Sequence, residues 1–364
     1  MLVRDGTRVT SMLDDLRQLV EIESPSGDPT SLQSSGLAVA DLLERRLGRS
    51  VHLVHTEVGP HVLWDGGGET RVLVLGHHDT VFPLGTLAAR PFAVDDRIVT
   101  GPGVFDMLGG IVQGVEGLSR LPVLDHVKVL VTCDEETGSH HSRELIEELA
   151  TGCRAVLVLE GAGVGGALKT SRKGCGTFGV HVTGRASHAG LEPEAGINAL
   201  IEAAHQVHEI AALGRPDLGT TVIPTLARAG TLDNVVPAYA EIAVDVRVET
   251  NEEKARVEQS FAALAPRLPG AALTVSGGIG RPPMPRSTAI ELIALARRLC
   301  PGVEDVHVGG GSDGNFTAAL GVPTLDGLGA VGGGAHSDDE HLLIDFMVER
   351  ADLVAGLVRT STAD

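Results

Sequence analysis

The apolar positions of the chain fall into two textures. Over residues 8–20 and 35–48, Leu, Val and Ala recur at helical spacing with charges between them, which predicts two helices flanking a loop at 24–31 (SPSGDPTS). Further on, short valine- and leucine-rich runs show no alternation: RVLVL (71–75), VKVLV (127–131) and AVLVL (155–159). Such runs predict strands covered on both faces, as in a parallel sheet. Helical patterns at 109–120 and 141–150 lie between them. Alternating strands and helices make an α/β layer structure.

Near residue 175 the texture changes. GTFGVHVTG (176–184) alternates like a half-exposed strand, and 220–230, 240–249 and 272–277 read as three more. Amphipathic helices are predicted at 196–213 and 251–268. These elements make a compact α+β unit with an antiparallel pattern. RPPMP (281–285) is a stiff hinge, after which helix and strand patterns resume from 288 to 360. The expected fold class is therefore α/β: a mixed, mostly parallel sheet flanked by helices, formed by residues 1–174 and 282–364. A smaller α+β domain at 175–281, a four-stranded antiparallel sheet with two helices, interrupts it. A chain of 364 residues is long enough for two cores.

Composition narrows the classes. At 43% hydrophobic residues the chain is globular rather than disordered. No run approaches the roughly 20 apolar residues of a membrane span, and the first residues lack an apolar signal core. A cytoplasmic location with no membrane partner is expected. The formal charge of −19 comes with no basic stripe, so nucleic acid is not an expected partner. Cys133, Cys153, Cys175 and Cys300 are spread out with no CxxC pair. That fits reduced, structural thiols rather than a disulfide framework or a zinc ribbon.

The strand runs end in chemistry. RVLVL leads into GHHDT, VKVLVT into CDEE, and AVLVL into Glu160. Ligands of open α/β sheets gather beyond the carboxyl ends of strands, so His77, Asp79, Glu135, Glu136 and Glu160 are expected at one sheet edge. Buried carboxylates are costly unless paired or bound to metal, and a cluster of them with histidine indicates a divalent cation. Asp106 in GPGVFDMLGG (101–110) and His336 in GGGAHSDDEH (332–341) sit in glycine-rich turns that permit close backbone approach, and they extend the set. On an extended backbone Asp79 shares a face with His77, where it can fix the imidazole tautomer. Glu135 and Glu136 point different ways, so one carboxylate can bind metal while the other reaches water.

With these residues the chain resembles the zinc-dependent exopeptidases and deacylases that include glutamate carboxypeptidase, acetylornithine deacetylase, succinyl-diaminopimelate desuccinylase and the aminoacylases. The matching segments are GHHDTV (76–81), GPGVFDMLGG, DEETGS (134–139), LEGA (159–162), GRASHAG (184–190), GTLDNVVP (230–237), DVR (245–247) and AHSDDE (335–340). They run in family order along nearly the whole chain. The resemblance implies that Asp106 bridges two metals, with His77 and Glu160 completing one site and Glu136 and His336 the other. The implied cofactors are two Zn2+ per subunit, and the oxygen and nitrogen ligands also admit Co2+ or Mn2+. Glu135 would be general base and then general acid.

The resemblance also implies that His188 crosses into the active site of a partner subunit and stabilises an oxyanion. A homodimer built through the inserted domain, which would serve for dimerisation and as a lid, follows from that. Asn234 and Arg247 match residues that in relatives contact the substrate carboxylate, a task that suits the planar guanidinium fork. Arg281, Lys173, Gly311 and Ser312 are further candidates. Relatives often carry lysine two residues after the bridging aspartate, where this chain has Leu108. His78 is expected to be an accessory or packing residue, and His140 and His141 ordinary helix-start residues.

The expected function is a dinuclear metal-dependent hydrolase that cleaves an amide or peptide bond next to a free carboxylate. DEETGSHHSRELI and the FDM turn place it closer to the glutamate carboxypeptidase branch. The substrate would be a small peptide or an N-acyl amino acid, and the alternative is an N-acyl amino acid deacylase. A non-catalytic dimeric homologue would lack a ligand or Glu135, yet every position is filled. A serine hydrolase, which needs a GxSxG elbow at a strand–helix turn, is not expected.

Overall fold

The valine-rich runs form neighbouring parallel strands, Val72–His77 between Val127–Thr132 and Ala155–Val158. The computed structural model describes residues 2–363; Met1 and Asp364, the ends of the larger expected domain, lie outside them. The sheet runs in the order Val51–His55, Pro60–Asp65, Val127–Thr132, Val72–His77, Ala155–Val158, Thr324–Leu325. Pairings on the Val51 side are antiparallel and the rest parallel. The mixed, mostly parallel sheet is thus present.

Its lack of alternation has a direct cause. Val72 and Val74 face a core with Met12, Leu16, Leu42, Ile111 and Leu357, whereas Leu73 and Leu75 face Ile146, Val156 and Phe316. Helices cover both faces, and period-2 polarity has nowhere to appear. His77 pairs with Thr132 at the last rung of one pair of strands, so the segments that follow leave the sheet side by side.

The chain divides into two compact units: residues up to Ser171, Met284–Val308 and the chain from Ser312 onward; and Arg172–Pro283 with Gly309–Gly311. In the second unit Thr221–Ala229, Tyr239–Val248, Gly174–Thr183 and Ala272–Arg281 form an antiparallel sheet in that order. Helices Ala199–Ala211 and Asn251–Ala262 pack on it around Phe178, Val180, Val244 and Phe261. Among the described residues no helix is long and apolar enough to cross a membrane.

Several boundaries differ from expectation. The second helix, Pro29–Leu47, starts inside the expected loop because Asp28 caps it, its carboxylate accepting from the Ser31 amide at 2.8 Å, with Pro29 in the first turn. The helix expected to run to 268 ends at Ala262; beyond it, the Glu202 carboxylate holds the amides of Arg267 (2.9 Å) and Leu268 (2.7 Å). The last strand of this unit runs through Arg281, into the expected hinge. A small sheet of Gly332–Gly333, His341–Leu343, Ile98–Thr100 and Ala93–Asp95 belongs to the first unit.

Candidate metal centre

His77 closes its strand fully buried. Its Nδ1–H donates to the main-chain oxygen of Asp79 at 2.9 Å, with the Asp79 carboxylate behind at 3.4 Å. The tautomer is therefore set first by the backbone of Asp79. The Asp79 carboxylate is engaged elsewhere: it accepts from Ser26 Oγ (2.8 Å) and from the amides of Glu135 (3.2 Å) and Glu136 (3.1 Å). It thereby ties the end of one strand to the acidic turn after the next.

The other ring nitrogen, Nε2 of His77, lies 3.4 Å from Asp106 Oδ1 and 3.6 Å from Glu160 Oε1. His336 Nε2 lies 3.2 Å from Asp106 Oδ2 and 3.2 Å from Glu136 Oε2. The two oxygens of Asp106 thus face two different imidazoles. Ligand-type atoms of His77, Glu135 and Glu160, and of His77, Asp106 and Glu136, each lie within 4.8 Å of one another. Those triads cut across the two expected ligand sets, but the shortest imidazole–carboxylate contacts follow the expected sets, and all six side chains converge. Lys169 Nζ stands 3.8 Å from the far oxygen of Glu160.

Burial opposes a charge on His77, but the carboxylates of Asp106, Asp79 and Glu160 outweigh it and hold its pKa well above the ordinary value. Asp106 and Glu136 lift His336 to about 10. Burial raises Asp106, and its two imidazole partners outweigh that and bring it below the usual range. Desolvation raises Glu136. The pocket therefore draws positive charge onto its histidines. His77 Nε2, Asp106 Oδ1 and Glu136 Oε1 are buried without a hydrogen-bond partner, although buried polar atoms are ordinarily paired. A buried imidazole nitrogen and two carboxylate oxygens without hydrogen-bond partners are the donor set of a divalent cation, which would take the place of the imidazole proton, and the absence of thiolate suits Zn2+, Mn2+ or Co2+. The residues fit the metal that the sequence implies.

Glu340 was not among the expected site residues. It is buried, and its carboxylate accepts from the amides of Gly103 (2.8 Å), Phe105 (2.9 Å) and Asp106 (2.9 Å). Burial lifts its carboxyl to about 7 against the pull of those donors. In sequence it reads as the last of three solvated acids, and only its place in the DDE run after His336 hinted otherwise. Leu108 is packed in the core. His78 is buried between Ser35 Oγ (3.1 Å) and the Pro60 carbonyl (3.0 Å), and burial lowers its pKa to about 4. It is a packing residue. His140 and His141 precede helix Arg143–Ala150, the His141 amide donating to Asp134 at 2.7 Å.

Residues 310–314 spell GGSDG, a GxSxG sequence between strand Asp305–Val308 and helix Gly314–Ala319. Serine chemistry therefore cannot be set aside for lack of the motif, but the geometry does set it aside. Ser312 is fully buried, its hydroxyl donating to Asp326 at 2.6 Å and accepting from the Gly314 amide at 3.1 Å. It faces a carboxylate and an amide, not an imidazole base, and it supports its turn instead of presenting a hydroxyl to substrate.

In the second unit His188 is exposed, and its Nδ1 accepts from the amides of Gly190 and Leu191, both at 3.1 Å. Two donors on Nδ1 put the ring proton on Nε2, leaving a donor on the outer edge. Asn234 sits on the adjoining loop, its carbonyl accepting from the Ala189 amide at 2.9 Å. Arg247 and Arg281 are both in register with Cys175, on either side of it. The Arg247 fork already holds Asp245, at 3.0 and 2.9 Å. Lys173 donates to the Gly219 carbonyl at 2.5 Å and pairs with Glu249 at 3.3 Å. Gly311 is held by Arg172, whose guanidinium donates to its carbonyl at 3.2 Å.

A helix-flanked mixed sheet with this acid–imidazole cluster at its strand ends defines a class, the metal-dependent hydrolases of amide bonds. The chain matches the model of peptidase family M20/M25/M40 over residues 73–360 and belongs to that family. It is 32% identical to carboxypeptidase G2 of Pseudomonas sp. (strain RS-16), over 96% of this chain and 88% of that one. Succinyl-diaminopimelate desuccinylase of Stutzerimonas stutzeri (strain A1501) is 28% identical over 83% and 86%. In fold it is similar to aminopeptidase PepT from Bacillus cereus ATCC 10987, with TM-score 0.76 and 20% identity over 98% and 99% of the two chains. The M20 family metallo-carboxypeptidase Sso-CP2 from Sulfolobus solfataricus is similar too, with TM-score 0.74 and 17% identity over 97% and 99%.

Proposed function

We propose that the chain is a dinuclear metal-dependent carboxypeptidase of the glutamate carboxypeptidase type. The observation that carries this is Asp106, with one oxygen toward His77 and the other toward His336. His77, Asp106 and Glu160 would hold one cation and Asp106, Glu136 and His336 the other, two Zn2+ in the first instance. Such ions, when bound, supply Lewis acidity to a carbonyl and acidify water.

The chain's own groups do the rest. Glu135, whose amide is anchored on Asp79, takes the proton from the attacking water and passes it to the leaving amine. Nε2–H of His188 donates to the oxyanion. Arg247, Arg281 and Asn234 bind the free carboxylate, Arg247 through the guanidinium edge that Asp245 leaves open. Residues 1–174 and 282–364 form the catalytic domain, and 175–281 the dimerisation and lid domain. The edge strand Thr221–Ala229 and helix Ala199–Ala211 expose Ile223, Leu226, Leu200 and Ile201, and apolar edges of this kind are covered by partners. Four free cysteines suit a reducing, cytoplasmic setting.

The test is hydrolysis of two substrate panels by metal-loaded enzyme, read by mass spectrometry: dipeptides and acyl amino acids ending in glutamate, and N-succinyl or N-acetyl diamino acids. Preferred release of C-terminal glutamate, abolished by chelator, is expected. Preference for the second panel would move the chain to the deacylases, a reading favoured by its similarity to the desuccinylase. Turnover that survives chelation would refute both.

A further inference from the structure

The loop that supplies His336 returns to the metal centre at Glu340. The strand after it, His341–Leu343, pairs antiparallel with Ile98–Thr100, His341 opposite Thr100. This pairing lays Glu340 against the loop that runs from Gly101 to Asp106. There one oxygen of its buried carboxylate accepts from the Gly103 amide, and the other from both Phe105 and Asp106. Three main-chain donors, two of them in fully buried bonds, thus end on one side chain, and without it they would be orphaned. When the carboxylate is ionised the bonds are charge-assisted, the stronger kind.

We infer that Glu340 is a positioning residue for the metal centre, locking the Asp106 loop to the His336 loop. The inference rests on the dinuclear reading above. The two ends of the lock carry Asp106, common to both proposed sites, and His336 of one: Asp106 gives its amide to Glu340, while its Oδ2 lies 3.2 Å from His336 Nε2. His336 itself has φ of +62°. A histidine in the left-handed region persists only where its surroundings over-determine the loop. Pinning at Glu340 supplies that constraint from the far side of the turn. Glutamine at 340 would keep the volume and turn an acceptor into a donor that faces a backbone amide.

The test titrates Co2+ into metal-free wild type, Glu340→Gln and Glu340→Asp against a competing chelator, and records visible spectra and melting temperatures. Wild type is expected to take up two Co2+. In Glu340→Gln the Co2+ of the Glu136–His336 site, which depends on both loops, should bind roughly 10–100-fold more weakly and its spectrum should change, with a smaller loss at the other site, which shares Asp106 alone, and a fall in metal-free melting temperature too small to account for it. Glu340→Asp, which keeps the carboxylate, should recover part of the loss, and it is read alone should the glutamine variant not fold. Two Co2+ bound at wild-type affinity in Glu340→Gln would overturn the inference. So would equal weakening of both sites with a matching fall in metal-free melting temperature, since that marks a residue of general folding. Fewer than two Co2+ in wild type would instead sink the dinuclear reading, and this inference with it.

Discussion

Glu135 and Glu136 are chain neighbours with different proposed tasks, proton transfer and metal binding. Glu136 lies 3.2 Å from His336, and the amides of both residues are anchored on the Asp79 carboxylate. If Glu135 only moves protons, Glu135→Ala should lower kcat by roughly 10²–10⁴-fold while metal content stays at the wild-type level. Metal analysis beside steady-state kinetics decides it, and near-normal turnover would remove Glu135 from the mechanism. The acids and imidazoles of this pocket could be read from sequence because each follows an apolar run or a glycine turn. Glu340 could not, because nothing in SDDE distinguishes the acid that folds inward from those that meet water; that depends on the pairing of the next residue, His341, with Thr100, 241 residues earlier in the chain. The reach of Asp79 to the Glu135–Glu136 amides was hidden for the same reason.

The helix Gly109–Ser119 carries glycines where alanine would ordinarily favour a helix by up to about 1 kcal/mol. These glycines are required by close approach, Gly110 most tightly: a Cβ there would stand 2.0 Å from the Leu159 carbonyl oxygen, and one added at Gly329 would stand 2.1 Å from the same oxygen. That carbonyl immediately precedes Glu160. Gly110→Ala should therefore destabilise the protein by on the order of 1–3 kcal/mol, seen as a lower denaturant midpoint, and should weaken binding of the cation proposed at Glu160. An unchanged or higher midpoint would show that the helix and strand can part without harm. Most long elements were legible from their periodicity, and the boundaries that moved did so for local reasons. Asp28 and Pro29 start a helix inside a segment whose composition reads as loop. The hairpin Val51–His55 and Pro60–Asp65 went unassigned because its first strand, VHLVH, mixes polar and apolar residues without the density of the central runs.

For the proposed dimer, each active site would combine Glu135 of one chain with His188 of another. Mixing inactive Glu135→Ala with inactive His188→Ala should then restore activity, up to about a quarter of wild type when subunits exchange at random and one site per hybrid is intact. No recovery despite demonstrated exchange would place His188 in its own chain's site or outside the reaction. Beneath all of this lies the claim that distant acids and imidazoles converge on a pair of cations shared by Asp106. Metal counted per chain after loading and removal of excess tests it most directly. Two divalent ions are expected for wild type, and loss of tight binding at both sites in Asp106→Ala. Wild type retaining none or one, or Asp106→Ala retaining both, would contradict it.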